Sequence, residues 1–139
     1  MAENLGLRRI AVSAAIAGLG TCAFAGYIWW SYRGAVPQPA VGAAVVIVLA
    51  IGVAAGLSSG RYRDAPVAWA AAAIGWALAY QANYTIDPAW PTSDSSFGGA
   101  LVLIAIFLLP LVGGGHLLGV GLGVASRTIR RGTKSPRGA

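Results

Sequence analysis

Charge is what this sequence has least of. Only 10% of its 139 residues are Asp, Glu, Lys or Arg, against about 25% in soluble domains. A soluble fold made from its apolar stretches would need an outer layer of polar helices, and too few residues remain to build one. One cysteine, Cys22, excludes an internal disulfide, a cysteine-pair redox relay and a cysteine-based zinc site. One histidine, His116, cannot complete a metal site alone and leaves a haem without paired axial ligands. No Asp, Glu, Lys or Arg falls in the middle of a long apolar run, so ion-coupled exchange through a buried carboxylate lacks its essential group. No nucleophile with a base and an orienting acid can be assembled from these runs either. The sequence therefore reads as non-enzymatic and free of cofactors.

What is present is hydrocarbon. Hydrophobic residues make up 57% of the chain, and four stretches carry no charge: Ile10 to Tyr32, Gly34 to Gly60, Ala65 to Ile86 and Ser95 to Ser126. Each is long enough to cross a bilayer, which takes about 20 apolar residues at about 1.5 Å each. The sequence predicts an all-α fold: an integral membrane four-helix bundle forming one transmembrane domain. Its spans are expected near residues 10–32, 39–58, 66–86 and 98–126, followed by a basic cytoplasmic tail, 127–139. The N-terminus imitates a secretion signal, with Arg8 and Arg9 before an apolar run and Leu19-Gly20-Thr21-Cys22 resembling a lipoprotein cleavage site. Its apolar core continues through Phe24, Tyr27, Ile28, Trp29 and Trp30, beyond the roughly 7–15 residues of a signal, which makes it a signal-anchor helix.

Orientation follows from the positive charge. Arg8 and Arg9, then Arg61 and Arg63, then Arg127, Arg130, Arg131, Lys134 and Arg137 fall on one side of a four-span chain, leaving Arg33 alone on the other, nine bases against one. Both termini are therefore expected in the cytoplasm. Pro37-Gln38-Pro39, Ser58-Ser59-Gly60, Asp87-Pro88 and Pro91-Thr92-Ser93-Asp94 supply turn formers in the three connections, and links this short make successive helices antiparallel neighbours. Tyr27, Trp29, Trp30, Tyr32, Tyr80 and Tyr84 collect at the outer interface of this arrangement, and Tyr62 and Trp69 at the inner one. Trp90, between two prolines in the third connection, reads as an interfacial anchor. The tail beyond residue 126 lacks apolar periodicity and is expected to be disordered or to lie on the anionic inner leaflet. Topology explains its charges without nucleic acid. The preference for arginine over lysine, with abundant Ala and Gly, points to the cell membrane of a prokaryote.

Small residues recur four apart in every span: Gly18, Cys22 and Gly26; Gly52, Gly56 and Gly60; Ala71, Gly75 and Ala79; Gly115, Gly119 and Gly123. Such stripes let backbones approach closely where lipid supplies no hydrophobic drive. The composition is rich enough in Ala and Gly to produce some of them by chance. In the third span Trp69, Trp76, Tyr80 and Asn83 share one sector, opposite Ala71, Gly75 and Ala82. In the fourth, Pro110 and then Gly113-Gly114-Gly115 mark a kink or a partly unwound break. His116 follows at once. Counting 11 residues back from Arg127 puts it near mid-membrane, where Thr21 or a carbonyl freed by Pro110 would be its hydrogen-bond partner.

Two functional classes remain. In the first, the chain is a small structural or accessory subunit, associating with itself or with a larger membrane complex through glycine-rich helix faces. In the second, it is a small channel or transporter whose path passes the broken fourth helix and His116. A haem- or quinone-associated electron-transfer subunit stands third. The residues on which these readings turn are His116, Pro110, Gly115, Gly119, Gly123 and Thr21.

Overall fold

A computed structural model describes residues 2–86 and 107–132. Among them are four helices and no strand: α1 (Ala2–Tyr32), α2 (Val41–Ser59), α3 (Ala65–Ile86) and α4 (Gly114–Gly132). A 3-10 turn, Tyr62–Asp64, leads into α3, and a π-helical turn, Leu109–Gly113, leads into α4. The third connection with Trp90, and the beginning of the expected fourth span, lie outside the described residues.

The helix ends have local causes. Past α1 the chain reverses at Gly34, whose φ of 74° suits a residue without Cβ. The Gly34 and Ala35 amides donate back to Ser31 and Trp30 carbonyls at 3.0 and 3.1 Å. Beside this turn the Arg33 guanidinium lies 4.4 Å above the Trp29 ring, and the Tyr27 hydroxyl donates to the Pro37 carbonyl at 2.8 Å. Helix α2 ends on Gly60, left-handed at φ 66°, whose N–H donates to the Gly56 carbonyl at 2.8 Å.

Contacts between helices give their directions. Gly20 of α1 faces Ile51 of α2, while Gly6 faces the Arg61 side chain just past α2, so these two helices run antiparallel. Along α2 and α4 the numbers rise together: Gly52 against Val112 and Gly115, Gly56 against His116, Gly119 against Val53, Gly123 against Leu57. These two are parallel. Helix α1 packs on α2 and α3, α2 packs on α4, and α3 meets α4 over only a short stretch. The core is formed by Ala17, Phe24, Val48, Ala55, Ala68, Ala72, Leu108 and Val112. Trp69 and Trp76 pack against it, so that the indole face of α3 meets the protein's own interior.

At these crossings the backbones touch. A Cβ on Gly56 would stand 2.8 Å from the His116 carbonyl carbon and closer still to its oxygen; one on Gly75 would stand 2.9 Å from the Gly18 carbonyl carbon. On Gly119 it would lie 2.9 Å from the Val53 carbonyl carbon, and on Gly52 or Gly115 2.5 Å from a facing carbonyl oxygen. Gly123 differs, because its nearest neighbour would be a Leu57 methyl at an ordinary 3.7 Å.

Among the described residues, two helical segments, Asn4–Ser31 and Val41–Ser59, are long and apolar enough to cross a membrane. Helix α3 is uncharged over 22 residues, but its Trp, Tyr, Gln and Asn lower its hydropathy, and the described part of the fourth helix contains Arg127, Arg130 and Arg131. Of the two expectations for the tail, disorder is corrected as far as Gly132, to which the helix continues. A helix already nucleated extends cheaply through arginine, a good helix former. At Pro110, where the sequence allows either a kink or a partly unwound break, the helix stays wound. Residues Leu109–Gly113 form a π turn, and the Gly114 amide reaches the Leu111 and Pro110 carbonyls. Proline has no amide to donate, and one widened turn absorbs it while keeping the helix continuous.

Candidate functional site

Buried polar side chains gather where α2 turns into α3. Ser59, the last residue of α2, is fully buried, and Asp64, the residue before α3, is 4% exposed. Gly60 turns the chain between them, which lets Ser59 face the loop it has just left. The Ser59 Oγ accepts the Arg61 amide at 3.0 Å and donates to Asp64 Oδ2 at 2.8 Å. Its one proton could also address the Arg61 carbonyl at 3.1 Å, but the shorter bond to a carboxylate is the stronger. Asp64 also precedes the first turn of α3, where a negative charge meets the positive end of the helix dipole.

His116 joins this cluster from α4. It is fully buried, and its Nε2 lies 3.1 Å from the Arg61 carbonyl oxygen. A carbonyl only accepts, so Nε2 carries a proton and donates, which leaves Nδ1 as the ring's second polar atom. That Nδ1 is buried and has no hydrogen-bond partner among the described residues. His116 thus bonds the Arg61 carbonyl, while the Arg61 amide, on the residue's other peptide unit, donates to Ser59, which donates to Asp64. The mechanical effect is to tie α4 to the α2–α3 connection, at the point where Gly56 admits the His116 backbone.

Serine, histidine and aspartate are thus near one another without forming a catalytic relay. The Ser59 hydroxyl bonds Asp64 directly, and the imidazole is committed to a backbone carbonyl. Among the described residues no three His, Cys, Asp or Glu side chains converge as a metal site would require.

Thr21 is not the partner of His116. It is fully buried, but its hydroxyl donates to the Ala17 carbonyl within α1, the usual outlet for a helical threonine. Nor does His116 bond a carbonyl freed by Pro110, because the α2–α3 connection folds inward to meet it. Pro110 is exposed on the π turn, whereas Gly115 and Gly119 are buried against α2. Counting charge along Arg61-Tyr62-Arg63-Asp64 registers the two arginines as orientation signals and passes over the aspartate. The available signal was an acidic residue two positions ahead of Pro66 at a helix start, preceded by the polar Ser58-Ser59 pair.

A second feature lies beside the cluster. Ala65, Pro66, Trp69, Gly113, Gly114 and Leu117 line a groove of about 450 Å³ between α3 and the fourth helix, and its lining is entirely apolar.

Comparison of the chain with protein families, with characterised proteins and with solved structures finds no match.

Proposed function

We propose that this chain is a four-span protein of a prokaryotic cell membrane, with both termini in the cytoplasm, serving as a small structural or accessory subunit. Two helical segments of spanning length and apolarity support the membrane reading. So do the uncharged α3, the antiparallel run of α1 and α2 and the parallel run of α2 and α4. The nine-to-one division of basic residues supports the orientation.

The observation that carries the accessory role is the use made of His116. The one histidine is fully buried and hydrogen-bonded to the Arg61 backbone, while the groove beside the helix break has an apolar lining. A solute path needs polar groups facing water, and here Ser59, Asp64 and the His116 Nε2 are taken up by bonds within the protein. Glycines 52, 56, 75, 115 and 119 are already in contact within the chain. A partner helix would therefore meet other positions, among them Gly26 and Gly42, where an added side chain would meet nothing within 4 Å.

The test is purification in mild detergent with identification of co-purifying proteins, alongside solute flux into proteoliposomes. A stable partner and no flux is the expected pair of results. Flux abolished by His116→Ala in a folded protein would establish the channel reading in its place.

A further inference from the structure

At one end of the apolar groove stand Tyr62 and Arg63. They belong to the 3-10 turn that runs directly into Ala65 and Pro66, two of the groove's lining residues, and both are exposed. The Tyr62 hydroxyl lies 3.7 Å from where a side chain on Gly121 would begin. Gly121 is one helical turn beyond Leu117, so the phenol sits where the α4 wall of the groove ends. At Gly113 and Gly114 an added Cβ would meet nothing within 4 Å, so the wall there is bare backbone facing open space. Trp69 forms the opposite wall, which is apolar like the rest of the lining.

The groove therefore presents an apolar slot of about 450 Å³, a size within the roughly 300–1,000 Å³ of small-molecule sites. A phenol and a guanidinium follow at its end. Hydrocarbon, then ester oxygens, then an anionic phosphate is the order of groups along a phospholipid. Guanidinium suits phosphate by its planar pair of donors, and aromatic side chains are stable at headgroup depth. We infer that this groove holds one anionic phospholipid, its acyl chain along Gly113, Gly114 and Leu117 and its phosphate at Arg63 and Tyr62. A free phosphate would leave the apolar slot empty. The inference rests on the membrane reading above and adds to it a specific lipid.

The test uses the full chain, purified in mild detergent and mixed with phosphatidylglycerol and phosphatidylcholine of equal chain length, with retained lipid counted by native mass spectrometry. One phosphatidylglycerol should remain bound in preference to phosphatidylcholine. Gly114→Leu, which fills the slot, should abolish retention, and Ala50→Leu, at an exposed position of α2 outside the groove, should leave it intact. Arg63→Gln, a surface change that spares the fold, should lower phosphatidylglycerol retention about fivefold, the effect of one base at an anionic surface, without changing phosphatidylcholine. Equal retention of the two lipids, or none, would overturn the inference, as would full retention by Arg63→Gln or a lipid-free dimer closing the groove with a second copy. A chain that resists alkaline extraction from membranes but retains no phosphatidylglycerol refutes the lipid site alone. A chain released by alkali refutes the membrane reading.

Discussion

The crossing of α2 and α4 at Gly56 and His116 gives the most discriminating perturbation of the packing. Gly56→Ala would place a methyl 2.8 Å from the His116 carbonyl carbon and nearer still to its oxygen. Both neighbours are backbone, so no side chain can rotate away; the helices must separate, by roughly an ångström if the methyl is to reach ordinary contact of about 3.5 Å. Overpacking of this kind costs about 1–3 kcal/mol. Alanine returns up to about 1 kcal/mol of helix propensity, which leaves a net loss of about 0–2 kcal/mol from the crossing alone. Separation also stretches the bond from His116 to the Arg61 carbonyl, 3.1 Å in the native packing. Losing a buried bond costs about 1–3 kcal/mol when the acceptor is left dry, so the variant should be destabilised by about 1–5 kcal/mol in all. The assay is thermal unfolding in mild detergent, followed by helical circular dichroism. Gly42→Ala is its control, since nothing lies within 4 Å of a Cβ there, and that variant should equal or slightly exceed the native protein. A Gly56→Ala protein as stable as the Gly42→Ala control would refute the close approach.

The same assay separates two residues of one stripe: Gly119→Ala should lower the melting temperature, because its methyl would press on the Val53 carbonyl, whereas Gly123→Ala, facing a Leu57 methyl at 3.7 Å, should not. Ser59→Ala leaves the Asp64 carboxylate and the Arg61 amide without their shared partner and should cost about 1–3 kcal/mol; Ser58→Ala, whose hydroxyl bonds only its own helix at Ala54, should be nearly neutral. His116→Leu should destabilise by a similar 1–3 kcal/mol through the unanswered Arg61 carbonyl, and guanidinium or thermal unfolding that matches the native protein would remove His116 from the cluster.

Much of the frame was legible from elementary patterns. Uncharged runs located α2, α3 and α1 from Ile10 onward, though α1 begins earlier, at Ala2, and Gly60 and the Pro37-Gln38-Pro39 segment marked where the chain turns. The amphipathic split of α3 was visible too, but only the structure assigns its Trp69 and Trp76 face to the core. A spacing of four could not rank glycines, since Gly119 touches backbone and Gly123 only a methyl; the difference depends on how two helices diverge along their crossing. The polar cluster was the least legible part. Which carbonyl meets His116 is decided by the inward path of residues 60–64, a tertiary property, and Asp64 is masked in a charge count by Arg61 and Arg63 on either side of Tyr62. Depth along a single helix, counted from Arg127, pointed instead to Thr21, whose hydroxyl is already taken by Ala17.

Four membrane crossings with both ends in the cytoplasm are the central claim, and accessibility of single cysteines tests it most directly. In a Cys22→Ser background, Ser93→Cys probes the third connection and Thr128→Cys, at an exposed position of α4, probes the C-terminal end. Ser59 would be a poor probe, being fully buried. The account predicts that an impermeant thiol reagent labels Ser93→Cys in intact cells, and labels Thr128→Cys only after the membrane is permeabilised. Labelling of Thr128→Cys in intact cells, or protection of Ser93→Cys until permeabilisation, would contradict it.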